Sequence, residues 1–324
     1  MIHGHLIELI LVWVGCLLFV SFLFFILKHY VPGLKLFCKT GTYRCWCLLV
    51  PFFLSVCITI VIKKDIVFDW ATGFATSNPS LKELDPGKEK VSDKFLVLIH
   101  GWKSNGDYSW KEMSRLISSD PRFNCMRLIE INYPVYQYRQ DNLPLKELVN
   151  EIINNFNVKQ LKGEAYLIGH SLGGVIAREM LIHSKKKTNS DIKFNYALML
   201  GAPFRGPRKI RIWNFEINTF NVFNQPYLDD LGRTAPFRRE MEKEWKEIRN
   251  IYPNAELDHC FYSKRDSWVG PESATSGCYG KTPFLQGFEH TQLQKPENKN
   301  DDRYSLLMSL LGKRFTCNLK KRQH

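Results

Sequence analysis

Two apolar runs open the chain. Leu6 to Leu27 carries a single charge, Glu8, and matches the roughly 20 residues that cross a bilayer as a helix. A second run, Trp46 to Ile62, contains Pro51 and ends at Lys63 and Lys64. The pair predicts an N-terminal transmembrane helical hairpin over residues 1–64, with spans at about 6–27 and 46–62. A cleaved signal peptide fits less well, because a basic leader and an A-x-A site are both lacking and the first apolar core is too long. Residues 65–94 mix charges with Pro79, Pro86 and Gly87, which predicts a linker. From Phe95 the pattern changes. Short apolar runs at Phe95–Ile99, Met126–Ile131, Ala165–Ile168, Tyr196–Leu200 and His259–Tyr262 read as strands. Between and after them, helical spacing appears around Trp110–Ser118, Leu145–Phe156, Val175–Lys185 and Tyr304–Leu311. Strands alternating with helices predict an α/β fold, a mostly parallel sheet with helices on both faces, over residues 95–324. The stretch from about 205 to 256 is too long for a loop and predicts a cap insertion, with a solvated amphipathic helix over Phe237–Asn250.

Charge adds to this picture. The net charge of +13 suits nucleic acid, an anionic membrane surface or a membrane topology signal. Lys and Arg are spread along the chain among Asp and Glu, and zinc-ligand spacing and recognition-helix patterns are missing, so nucleic acid is not expected as a partner. Lys28, Lys35, Lys39 and Arg44 lie between the two runs. The positive-inside rule then favours the cytoplasm for that loop and the opposite side for the globular domain. Of nine cysteines, Cys125, Cys260, Cys278 and Cys317 fall after the hairpin; Cys260 and Cys278 can be a disulfide on an oxidising face or two buried thiols.

The candidate chemistry centres on Gly169-His170-Ser171-Leu172-Gly173, placed directly between a strand and a helix. A serine at such a sharp turn has a strained backbone, and glycines on either side remove the side chains that would clash. The new helix leaves its first N–H groups unpaired, so the N–H of Leu172 is expected to form half of an oxyanion hole. The second donor is expected from the loop after the first domain strand, His100-Gly101-Trp102, as the N–H of Trp102.

A serine nucleophile needs a base, and the base needs an orienting acid. Among the histidines, His170 is expected to point away from Ser171, His183 sits at an exposed helix end, His259 begins a strand, and His100 is expected to structure its loop. That leaves His290, in a polar loop before the last helix. For the acid, Asp266 follows the strand ending at Tyr262, at the sheet edge where catalytic groups gather. Its bland alternative is a turn aspartate bonded to its own backbone; Asp229, Asp230 and Asp258 are rivals. His170, Phe204, Trp213 and Phe215 are candidate substrate-binding residues, and Arg205, Arg208, Lys209 and Arg211 could meet an anionic head group. No metal site and no cofactor are expected.

His100-Gly101 after a strand, the elbow running on to Gly174, Gly201-Ala202-Pro203 with Gly206, Asp266 with Val269, and His290 follow one another in an order that resembles the α/β-hydrolase superfamily. The resemblance is to its serine esterase and lipase branch, including lipases of the GPI inositol-deacylase group. Phe204 departs from it, standing where many such lipases carry histidine. The resemblance implies an eight-stranded, mostly parallel sheet with one antiparallel strand. The elbow, Asp266 and His290 together with the N-terminal hairpin predict a membrane-anchored serine hydrolase that cleaves carboxylic esters through Ser171, His290 and Asp266, and the hairpin, by holding the site near a bilayer, points to lipid esters. A thioesterase or peptidase on the same triad, and a non-catalytic membrane-tethered scaffold, are the alternatives.

Overall fold

The computed structural model describes residues 79–84, 93–102, 104, 106–133, 143–187, 189–207, 209–212, 215–218, 230–231, 235–279 and 283–315. The expected membrane hairpin lies outside them. Among the described residues no helix is long and apolar enough to cross a membrane. The chain divides into two compact units, Met1–Ala75 and Thr76–His324. The second carries every element named below.

Its strands are β1 (Ser80–Glu83), β2 (Lys94–Ile99), β3 (Arg127–Asn132), β4 (Gly163–His170), β5 (Ile192–Leu200), β6 (Lys209–Ile212), β7 (Phe215–Asn218) and β8 (Asp258–Phe261). The helices are α1 (Gly106–Ser118), α2 (Leu145–Val158), α3 (Leu172–Lys186), α4 (Pro236–Ile251), the short α5 (Pro271–Ala274) and α6 (Asp302–Arg314). Six strands form the main sheet in the order β1-β3-β2-β4-β5-β8, and β6 and β7 form a separate antiparallel ribbon. In the main sheet every pairing is parallel except that of β1 with β3.

The unbroken apolar runs of β2, β4 and β5 are explained by burial on both faces. Phe95, Val97 and Ile99 of β2 join one core, while Leu96 and Leu98 join the other. Successive side chains point to opposite faces of a strand, so a strand covered on both sides must be apolar throughout. The first core holds residues of α2, α3 and α4, and the second those of α1 and α6.

Two expectations need correction. The predicted linker 65–94 contains β1, which pairs antiparallel with β3 at the sheet edge, so the sheet begins before Phe95. Polar Lys82 and Glu83 hid it; an edge strand exposed on one face need not be continuously apolar. The predicted solvated cap helix is α4, and it is docked on the first core. Phe237, Met241, Trp245 and Ile248 form a buried stripe along one side of it. Two of its charges reach other helices: Glu240 pairs with Lys146 of α2 at 2.5 Å, and Glu244 pairs with Lys186 of α3.

Candidate active site

The turn between β4 and α3 holds Ser171 at φ 54°, ψ −122°, a backbone conformation that L residues rarely adopt. Backbone bonds brace it: the Ser171 N–H donates to Leu200 O at 2.8 Å, and the Gly174 N–H donates to Ser171 O at 2.9 Å. The glycines are steric necessities. A Cβ on Gly169 would lie 2.3 Å from Gly173 O, one on Gly173 would lie 2.2 Å from Ile99 O, and one on Gly101 would lie 2.9 Å from Ser171 Cβ. The loop after β2 therefore rests directly on the serine. Leu172 is the first residue of α3, so its N–H has no acceptor within that helix. Trp102 is buried, one residue beyond the Gly101 contact.

His290 and Asp266 meet. His290 Nδ1 donates to Asp266 Oδ2 at 2.7 Å, and the two residues are 3% and 1% exposed. The turn-aspartate reading holds at the same time, through the other oxygen. Asp266 Oδ1 accepts the N–H groups of Trp268 and Val269, both at 2.8 Å. One carboxylate thus anchors its loop with one oxygen and orients the imidazole with the other. His290 Nε2 is buried and has no hydrogen-bond partner, which leaves it open to accept a proton. Gly201, at φ +57°, makes room for the pair: a Cβ there would lie 3.1 Å from Asp266 Oδ2 and 3.3 Å from His290 Nδ1.

His170 does not point away from the site. Its Nε2 donates to His290 O at 2.9 Å, and the two rings lie 4.8 Å apart. Burial, together with the neighbouring His290, holds its pKa well below the ordinary value, so it is a neutral donor rather than a second cation beside the base. His100 structures its loop as expected. It stacks on Tyr133 at 4.2 Å, its Nδ1 donates to Gly101 O at 2.9 Å, and its O accepts the Tyr133 hydroxyl at 2.5 Å. Burial lowers its pKa to about 4.

Phe204 is 1% exposed and its ring lies 3.3 Å from the Arg178 guanidinium, within the first core. Trp213 lies outside the described residues, and Phe215 is the first residue of β7. Of the rival acids, Asp258 pairs with Arg178 at 3.3 Å, and Asp230 accepts the Leu145 N–H at 2.8 Å. His183 is half-buried, and His259 accepts the Tyr196 hydroxyl or donates to it at 2.8 Å. Cys260 and Cys278 form a disulfide. Their sulfurs and the Asp258 carboxylate lie within 4.8 Å of one another, but the sulfurs are bonded together and the Arg178 guanidinium already contacts all three residues. A cation would meet that charge rather than thiolates.

Sequence reasoning passed over Trp268. Its ring stacks on His290 at 5.3 Å with an interplanar angle of 15°, and stands 6.4 Å from that of Trp102. The only signal was its position two residues after the acid.

Residues 89–249 match the family described as "Putative serine esterase (DUF676)". That stretch holds Trp102, Ser171 and Leu172; Asp266 and His290 lie beyond it. No curated protein matches the chain. Several solved structures are similar to it. The meta-cleavage product hydrolase from Pseudomonas fluorescens IP01 is 12% identical, with 73% of this chain and 94% of that one covered at a TM-score of 0.47. Alpha/beta hydrolase domain-containing protein 10 from mouse is 12% identical over 74% of this chain and 94% of that one, at a TM-score of 0.44. The lipase BlEst2 from Bacillus licheniformis is 14% identical over 74% and 98%, at a TM-score of 0.41. The parallel sheet, the strained serine between strand and helix, and the match of residues 89–249 to a putative serine esterase family make the chain similar to the serine esterase and lipase branch of the α/β-hydrolase superfamily.

Proposed function

We propose that the protein is a membrane-anchored serine hydrolase that cleaves carboxylic esters, lipid esters in particular, without a metal or organic cofactor. The observation that carries this reading is the buried Asp266–His290 pair, whose Nε2 has no hydrogen-bond partner and whose imidazole lies beside His170, the residue before the elbow serine. In the reaction, Ser171 Oγ attacks the ester carbonyl and His290 Nε2 takes its proton. The N–H groups of Leu172 and Trp102 stabilise the oxyanion, and the proton passes from His290 to the departing alkoxide. Water then attacks the acyl-serine, again giving its proton to His290, and the acid is released with Ser171 restored. Asp266 keeps the imidazole in the tautomer with its proton on Nδ1 and stabilises the imidazolium. His170 fixes the base from its backbone side.

The apolar runs at residues 6–27 and 46–62 motivate the anchor, and holding the site near a bilayer motivates the lipid substrate. The Cys260–Cys278 disulfide supports placing the domain on a non-cytoplasmic, oxidising face.

Labelling of the detergent-solubilised protein with a fluorophosphonate probe tests the mechanism. Wild type should label, Ser171→Ala should not, and His290→Ala should label only weakly. Hydrolysis of a lipid ester should fall on the order of 10⁴-fold or more in Ser171→Ala. Folded wild type that fails to label would overturn the reading.

A further inference from the structure

A cleft of ≈ 1590 Å³ opens between α4, the turn after β5 and the segment that follows Asp266, and none of Ser171, Asp266 and His290 lines it. Five cations do: Arg178, Arg205, Arg238, Lys246 and Arg249, against two carboxylates.

The partners of these cations decide how much of the charge is already neutralised. Arg178, at the floor, is 2% exposed; it pairs with Asp258 at 3.3 Å, donates to Ser276 O at 2.8 Å, and keeps an Nε without an acceptor. Arg238 faces Glu242 at 3.5 Å. The other three meet no carboxylate among the described residues. Arg205 Nε donates to Ser276 Oγ at 3.0 Å, and Arg249 Nη1 donates to Gly277 O at 3.3 Å, both neutral oxygens. Lys246 makes neither a hydrogen bond nor an ion pair with them, and neither does the second carboxylate, Glu272.

Like charges gathered in one concavity raise one another's energy. Burial, opposed by Asp258 and reinforced by Arg249, holds the Arg178 guanidinium down to about 10. A bound anion would relieve this repulsion and give Arg205, Lys246 and Arg249 charged acceptors. Guanidinium forks match the oxygens of a phosphate, and the ammonium adds a point charge. The rings of Trp245 and Tyr279 supply apolar wall beside the cations.

We propose that this cleft binds a ligand bearing a phosphate or polyphosphate group, held by Arg205, Lys246 and Arg249 above Arg178. The phosphate can belong to a free small molecule or to a phospholipid headgroup, and the test separates the two. Binding is independent of the ester chemistry, so the full-length Ser171→Ala protein serves as the host and no ester ligand is consumed.

Calorimetric titration of that protein in detergent would use inorganic pyrophosphate, a short-chain phosphatidic acid, and a short-chain phosphatidylcholine as the zwitterionic control. Lys246→Ala/Arg249→Ala is added in the same background, with circular dichroism as the check on its fold. Saturable binding of pyrophosphate that weakens about tenfold or more in the added variant supports a free phosphorylated ligand. Binding of phosphatidic acid but not of pyrophosphate or phosphatidylcholine, with the same sensitivity, supports the headgroup. No binding of either phosphate compound, or binding that the added variant leaves unchanged, overturns the proposal.

Discussion

Ser171 keeps its φ of 54° because Gly169 and Gly173, two positions either side of it, and Gly101 against it have no side chains to obstruct the turn. Gly173 is the tightest case, since an added Cβ would meet Ile99 O at 2.2 Å and His100 O at 2.5 Å, both backbone atoms of the strand and loop that lead to Trp102. Neither can swing aside as a flexible side chain could. Gly173→Ala should cost about 3 kcal/mol or more in urea unfolding and should abolish fluorophosphonate labelling; a variant with the wild-type midpoint would disprove this account of the elbow. His100 makes a pH prediction at the same scale. Its folded pKa of about 4 lies below its ordinary 6.5, so between those values the unfolded chain binds a proton that the native chain refuses. Stability is therefore lost as pH falls through that window, by up to about 3 kcal/mol from this residue. Urea unfolding near neutrality and near the lower bound should show a larger acid loss in wild type than in His100→Gln. Equal losses would assign the acid sensitivity to other groups.

Among the elements, α4 departs most from its sequence reading. Its mixed charge suggested solvent on most sides, yet a stripe of four apolar residues docks it on the core. Glu240 and Glu244 then bring carboxylates toward Glu179 of α3, which is 6% exposed and has an Oε2 without a hydrogen bond. Burial, with Glu244 and Glu240 reinforcing it, pushes the Glu179 carboxyl up to about 7, while Lys146 and Lys186 act in the opposite sense. Here the native state holds a proton that the unfolded state has released, so the group costs stability progressively as pH rises from about 4.5 to about 7. Glu179→Gln should raise stability by roughly 1–3 kcal/mol above neutrality and leave it nearly unchanged at acid pH. Thermal unfolding across that range checks it, and a variant less stable than wild type at high pH would show that the carboxylate is satisfied after all.

At the scale of the whole molecule, the division at Ala75 separates the apolar N-terminal runs from every element of the sheet. If those runs anchor the protein, deletion of residues 1–75 should move it from the membrane pellet to the supernatant while Ser171 still labels. Retention in the pellet would point to a second membrane contact on the remaining chain. The candidate site draws on the carboxyl ends of neighbouring strands: Ser171 follows β4, Gly201, which makes room for the Asp266–His290 pair, follows β5, and Asp266 lies in the loop beyond β8. The carboxyl ends of neighbouring parallel strands all reach the same end of the sheet, so residues nearly 100 positions apart can share one site.

The central strands, the elbow and the choice of Ser171, Asp266 and His290 could be proposed from the sequence because their causes are local or compositional. A strand buried on both faces is apolar throughout, and a strained serine turn needs glycines at fixed spacing. Tertiary structure decided what depends on residues distant in the chain. His170 turns toward the site because its acceptor is the carbonyl of His290, 120 residues away. Asp266 serves as both turn anchor and partner of the base because its two oxygens face different segments. Phe204 is a core residue because Arg178 of the elbow helix lies against its ring, and β1 is a strand because β3 offers it a free edge. Each is a long-range pairing of surfaces or hydrogen-bonding groups, and sequence periodicity reports only which face of an element is buried, not what covers it.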